Sequence, residues 1–291
     1  MDLRALAMGL AFALMWSSAF TSARVIVLEM PPILSLAVRF VISGGVAVIW
    51  AAALGQSARL NAAQWRGTIV FGLCQNALYL GLFFLAMQRI EAGLAAIIAS
   101  TMPLLVAVAN RAVFKERLPW LGVAGLVAGF AGVALILGDR LSAGVDLVGL
   151  GYAAVGVLAL TFATLAVRGA SSGGNVLMIV GLQMLVGAAV LLVVGVALES
   201  WQVNWTPTIA FAYVYTIFVP GLAATFVWFK LVGRIGATRA ATFHFLNPFF
   251  GVAIAAVFLG EALGAREYLG VAIIAGGILA VQLARQKPQG T

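Results

Sequence analysis

Arg39 is the only basic residue well inside a long apolar run of this sequence, eight residues past Pro31 of the Pro31-Pro32 pair. A helix starting at the prolines would carry it about 12 Å along the axis. A charge at such a depth is costly and usually faces a cavity or a partner. Its guanidinium could hold a carboxylate by two parallel hydrogen bonds, or bond the carbonyls freed at a break in another helix. His244 is the only histidine and lies three residues before Asn247-Pro248. With a reference pKa of about 6.5 it could bind a solute or exchange a proton; as a neutral ring it could simply bond a neighbouring helix. Asn247 has a clearer rationale. Proline frees the carbonyl one turn before it, and a polar neighbour can satisfy that group or present it to a ligand. Pro103 would loosen its own helix in the same way, with Ser100 and Thr101 alongside. Pro103 and Pro248 are thus candidate hinges, with static packing kinks as the alternative.

Trp16, Tyr79, Phe162 and Trp228 fall in the middle of apolar runs rather than at their ends. The Tyr and Trp side chains each carry a polar atom that wants a partner, so walls built from them would suit a ring-bearing solute. Ordinary packing or lipid contact is the competing reading for each. Ser17 and Thr161 place a small hydroxyl in each half of the chain, able to bond a solute or their own backbone. Gln75 and Gln183 add neutral polar capacity with the same two readings.

These groups must be positioned by membrane-spanning helices. Hydrophobic residues make up 64% of the 291 residues and charged ones 9%, too few polar residues to coat a soluble protein of this size. Most stretches between punctuating residues are apolar and about 20 residues long, enough to cross the hydrocarbon core. The spans predicted are 5–27, 32–54, 65–89, 92–113, 120–138, 147–168, 174–197, 208–232, 237–259 and 265–284. Pro119, Gly173-Gly174-Asn175, Pro207 and Gly264 punctuate the gaps. The first span is expected to be retained rather than cleaved as a signal peptide, because the repeat described next needs it. Cys74, the single cysteine, leaves neither a disulfide nor a cysteine metal site. The net charge of +8 forms no basic stripe, so nucleic acid is not an expected partner.

Residues 89–137 align without gaps on residues 234–282. Arg89-Ile90 falls on Arg234-Ile235, Pro103 on Pro248, Glu116 on Glu261, Leu118 on Leu263, Gly125 on Gly270 and Gly132 on Gly277. A second alignment, offset by 144, pairs Arg24 with Arg168 and Arg39 with Gln183. The repeat divides the chain at 1–142 and 143–291, five spans each. An odd number of spans inverts the second half in the bilayer, the architecture of many secondary transporters. Twelve of the seventeen Lys and Arg residues lie on one side if both termini are cytoplasmic, as the positive-inside rule prefers. Gly122, Gly125, Gly129 and Gly132, echoed by Gly270, Gly276 and Gly277, form a packing seam, internal or between protomers. The oligomeric state is left open.

The run Ala13-Leu14-Met15-Trp16-Ser17-Ser18-Ala19-Phe20 resembles the first-helix signature of EamA-type domains of the drug/metabolite transporter (DMT) superfamily. Arg39-Phe40, Pro103 and Glu116-Arg117-Leu118 resemble it too, as do Phe245-Leu246-Asn247-Pro248 and Leu259-Gly260-Glu261 in the second copy. The two domains cover almost the whole chain. Within that family the likeness is to the YddG type, bacterial inner-membrane exporters of aromatic amino acids. The resemblance implies ten helices, with helices 1–4 and 6–9 lining a cavity and helices 5 and 10 as supports. It also implies a multi-pass protein of the bacterial inner membrane.

The expected protein is therefore an all-α polytopic membrane protein, a 5+5 inverted repeat, and not an enzyme. It should need no cofactor. Its partners are a small-molecule cargo and membrane lipid. The candidate substrate-binding residues are Trp16, Ser17, Arg39, Gln75, Tyr79, Ser100, Phe162, Gln183, Trp228, His244 and Asn247. A zwitterionic or anionic cargo suits a buried positive charge, and no Asp or Glu lies deeper in a span than a terminal turn to exchange protons with a lipophilic cation. Amino acids, aromatic or otherwise neutral, fit best; nucleotide precursors, sugar conjugates or drugs are the alternative. No His-Glu-x-x-His and no P-loop occurs, so neither a metalloprotease nor an ATPase is supported.

Overall fold

The structure, a computed structural model, describes residues 3–115, 118–166, 173–236, 240–262 and 264–286. Glu116, Arg117, Arg168, Ala237, Arg239, Leu263 and Lys287 lie outside them. Among the described residues there is no strand, and ten helices are long and apolar enough to cross a membrane. They are α1 (Leu3–Glu29), α2 (Pro32–Ala53), α3 (Ala62–Ala86), α4 (Ala92–Val113) and α5 (Trp120–Ser142), followed by α6 (Leu147–Ala166), α7 (Val176–Leu198), α8 (Pro207–Ile235) and α9 (Thr242–Leu259). The last is α10 (Ala265–Gln286). Each overlaps its expected span to within a few residues. The chemistry at the ends explains why. Pro32 and Pro207 open α2 and α8, where a missing N–H costs nothing. Asn61 and Gln64 form a reciprocal capping box on α3, with bonds of 2.9 and 3.0 Å. Gly260 closes α9 in the left-handed region, at φ 68°, which side chains rarely adopt.

Four helices are irregular, and the irregularities fall at positions that the repeat pairs. A π-helical stretch covers Gly72–Tyr79 in α3 and another covers Ile217–Ala223 in α8. Pro220 sits inside the second, where it cannot donate to the Thr216 carbonyl a turn earlier. Helix α4 is broken at Ser100 and Thr101 before its second segment starts at Met102. Helix α9 opens as a 3-10 turn over Thr242–Leu246 and becomes α-helical at Asn247. In both, a proline is the second residue of the new segment, so the carbonyl four residues back loses its usual donor.

Contacts group the chain into two compact units, each drawing helices from both sequence halves. The first comprises Met1–Thr21, Ile90–Leu147 and Ala223–Thr291; the second comprises Ser22–Arg89 and Val148–Leu222. In the first unit α5 and α10 touch backbone to backbone. A Cβ on Gly125 would stand 2.7 Å from the Gly277 carbonyl oxygen, and one on Gly132 would stand 2.8 Å from that of Gly270. This glycine seam is internal to the chain. In the second unit α2 and α7 cross as closely, with Gly44 against the Gly181 carbonyl. There too a Cβ on Gly72 of α3 would lie 2.8 Å from the Gln183 carbonyl of α7. Small residues let apolar helices gain dispersion contact where lipid offers no hydrophobic drive.

Each unit also clips one helix N-terminus with a carboxylate brought from far away in sequence. Glu261 accepts from the Ala92 and Gly93 amides at 2.7 and 2.8 Å, at the start of α4. Glu199 accepts from Ile33 and Leu34 at 3.0 and 2.8 Å, at the start of α2. Free amides at a helix N-terminus have no intrahelical partner and carry partial positive charge, so a carboxylate suits them. Near the Glu261 clip, Arg140 pairs with Glu91 at 2.7 Å and with Glu267 at 2.5 Å.

Candidate functional site

Five of the eleven sequence-nominated side chains gather in one cluster of the first unit, and Arg39 alone of them anchors a second cluster in the other unit. In the second unit, α2 carries Arg39, which is 6% exposed. Its guanidinium lies 5.5 Å from the centre of the Phe40 ring. Helix α8 supplies the other side. Tyr213 donates its hydroxyl hydrogen to the Ser35 carbonyl at 2.7 Å, one turn before Arg39 on α2. That hydroxyl is also close enough to interact electrostatically with the guanidinium. The Arg39 tip reaches the π-helical stretch, where a Cβ on Gly221 would meet Nη2 at 3.7 Å. The Arg39 carbonyl accepts from Ser43 at 2.8 Å, so the neighbouring hydroxyl is spent on backbone. Among the described residues no carboxylate or carbonyl accepts from the guanidinium, and its Nε is buried without any acceptor. A buried cation with unspent donors is costly, and a ligand carboxylate would compensate both charge and hydrogen bonds.

Gln75, Tyr79, Phe162 and Gln183 belong to the same unit. Tyr79 closes the π-helical stretch of α3, buried, with its ring 4.7 Å from that of Phe83. Gln75 and Gln183 are half-buried. Phe162 is 59% exposed, while its neighbour Thr161 bonds its own helix at Val157.

The first unit gathers Trp16, Ser17, Trp228, His244 and Asn247, together with Phe12, around the 3-10 turn of α9. Phe12 centres the ring cluster, 4.7 Å from Trp228, 5.7 Å from Trp16 and 5.3 Å from His244, which it meets edge to face. Trp228 and His244 stand 5.2 Å apart. The break before Pro248 brings the polar groups together. Asn247 Nδ2 and His244 Nδ1 are hydrogen-bonded at 2.9 Å. Ser17 donates to the Asn247 main-chain carbonyl at 3.3 Å. Asn247 Oδ1 is buried and receives no hydrogen bond among the described residues.

Ser100, in the same unit, stands apart from this cluster: its hydroxyl donates back to the Ala96 carbonyl at 2.7 Å. Pro103 and Pro248 follow the breaks in α4 and α9. Sequence reasoning missed Phe12, Tyr213 and the Pro220-Gly221 pair. A signal existed for the last, because a proline inside a long apolar run marks a helix irregularity as Pro103 and Pro248 do. Tyr213 and Phe12 gave none, since only the packing tells which aromatic faces the arginine and which the histidine.

Ten apolar helices, two internal copies and buried unpaired polar groups inside the spans define an integral-membrane solute transporter. The chain belongs to the EamA-like transporter family, whose profile matches residues 3–138 and again residues 147–283. It is similar to the uncharacterized transporter YvbV of Bacillus subtilis (strain 168), 28% identical over 92% of this chain and 88% of the relative. It is also similar to the uncharacterized inner membrane transporter YedA of Escherichia coli (strain K12), 24% identical over 95% of this chain and 90% of the relative. A solved crystal structure shares the fold with a TM-score of 0.72 and 24% identity, covering 98% of this chain and 99% of the other.

Proposed function

We propose that this transporter exports small amino-acid-like metabolites, aromatic or otherwise neutral, across the bacterial inner membrane by alternating access, with both termini cytoplasmic. The observation that carries the reading is Arg39, whose buried guanidinium has no counter-ion or acceptor among the described residues. A cargo carboxylate is the group it lacks. The aromatic side chains at Trp16, Trp228 and Tyr79 favour a ring-bearing cargo. In this reading the breaks at Pro103 and Pro248 are the hinge points of the two repeats. A second reading, export of nucleotide precursors, sugar conjugates or drugs, keeps the same fold. For the drugs, the confinement of the acids in the spans to terminal turns, such as Asp139 in α5 and Glu267 in α10, weighs against lipophilic cations.

The test is uptake of labelled phenylalanine and tryptophan by proteoliposomes. Saturable uptake, lowered about tenfold or more in Arg39→Ala, is the expected result. Arg39→Met sorts ligand binding from structure. If the charge serves cargo, this variant loses transport yet melts at the same or a higher temperature, because a costly buried charge is gone. A lower melting temperature with transport retained assigns Arg39 to the scaffold.

A further inference from the structure

The Asn247 cluster of the first unit has a polarity that its own residues do not use up. Its amide nitrogen is committed to His244 Nδ1 and its main-chain carbonyl to Ser17. What remains is Oδ1, a buried acceptor without a donor, on a side chain 7% exposed. Because one amide carbon holds both polar atoms, that oxygen lies near the His244 ring, on which Phe12 and Trp228 pack, with Trp16 against Phe12. Trp16, Trp228 and His244 each keep part of their surface open, whereas Phe12 is closed. Among the described residues, no Asp, Glu, Lys or Arg makes a hydrogen bond or ring contact with these side chains.

We propose that this cluster is an ammonium subsite, in which Asn247 Oδ1 accepts a hydrogen bond from a primary amine of the cargo and the Trp16 and Trp228 rings face its charge. This rests on the amino-acid reading of the transporter and narrows it to cargo with a free amino group. The chemistry selects among ligand groups. A carboxylate would meet the amide oxygen as one acceptor meeting another and would gain nothing from the negative faces of the rings. A hydroxyl could satisfy Oδ1 but not the rings. An ammonium uses both, through a hydrogen bond and cation–π attraction. The absence of an acid suits a zwitterion, whose amine needs an orienting acceptor rather than a full counter-ion.

The experiment competes labelled phenylalanine uptake in proteoliposomes with a matched set of compounds: phenylalanine, phenethylamine, phenyllactate, 3-phenylpropionate and N-acetylphenylalanine. In the wild type, phenylpropionate and N-acetylphenylalanine should compete at least about tenfold more weakly than phenylalanine, the scale of discrimination that a lost buried hydrogen bond can give. Asn247→Leu should close that gap by weakening phenylalanine while leaving phenylpropionate unchanged. Asn247→Asp, which keeps an acceptor, should preserve the preference. Phenylpropionate competing as well as phenylalanine in the wild type overturns the subsite, and that comparison requires no variant to fold. Equal weakening of every compound in Asn247→Leu overturns it too, by marking Asn247 as structural. Those results leave the amino-acid reading standing. If no amino acid is taken up while another cargo is, that reading falls and the subsite falls with it.

Discussion

The second unit holds a buried guanidinium unpaired, whereas the His244 cluster of the first links nearly all of its polar groups to one another. Arg39 keeps a full charge and free donors beside Tyr213 and the π-helical stretch of α8. Around His244, the amide, the imidazole and the Ser17 hydroxyl are already linked, and one amide oxygen is left over. Repeated chains thus do not produce repeated chemistry. The irregular backbone recurs at paired positions, but Arg39 is paired with Gln183, and Asn247 with Met102. Duplication conserves the places where a helix opens; divergence decides which polar group occupies them.

The largest expected effect comes from crowding the arginine. Gly221→Val puts side-chain carbon within reach of Arg39 Nη2 and 3.1 Å from the Thr216 carbonyl. Uptake should fall by about tenfold or more in membranes that still contain the protein. Gly233→Val is the matched control, since a Cβ there meets nothing within 4 Å. Equal losses in both variants would mean that α8 is sensitive to bulk in general and not at Arg39.

A middle-sized effect tests what the units share. Glu199→Ala and Glu261→Ala each strip two amides of their carboxylate, and each should lower stability by about 1–2 kcal/mol, read as an earlier thermal transition in detergent. A loss in one variant only would break the parallel between the clips. The smallest effect is expected at Ser100. Its hydroxyl is already bonded to Ala96, so Ser100→Ala should leave uptake unchanged and stability within about 0.5 kcal/mol. A large loss of uptake would return Ser100 to the cargo site.

Much of the architecture was legible in the sequence because the bilayer imposes it. A span must be apolar, about 20 residues long and internally hydrogen-bonded, so composition and punctuation locate α1 to α10 within a few residues. The breaks at Pro103 and Pro248 were legible for the same reason, as each proline removes a donor whatever surrounds it. The break marked by Pro220 was equally readable. The fate of Ser17, Ser100 and Thr161 was not. All three are small hydroxyls in apolar helices, yet Ser17 reaches another helix while Ser100 and Thr161 bond their own. Their local sequences do not separate these outcomes, because the choice depends on whether a carbonyl from elsewhere comes within reach.

The sequence alone determined that this chain crosses a membrane in ten helices, carries two copies of one pattern and buries a single central arginine. Those follow from solvation and chain order, which act on each segment separately. Only the tertiary structure decided that the compact units mix helices from both copies and that the glycine face of α5 packs internally on α10. It alone set Tyr213 and Gly221 beside Arg39, and closed Phe12, Trp228 and Asn247 around His244. Those are meetings of side chains far apart in sequence, and their partners are fixed by how the helices pack.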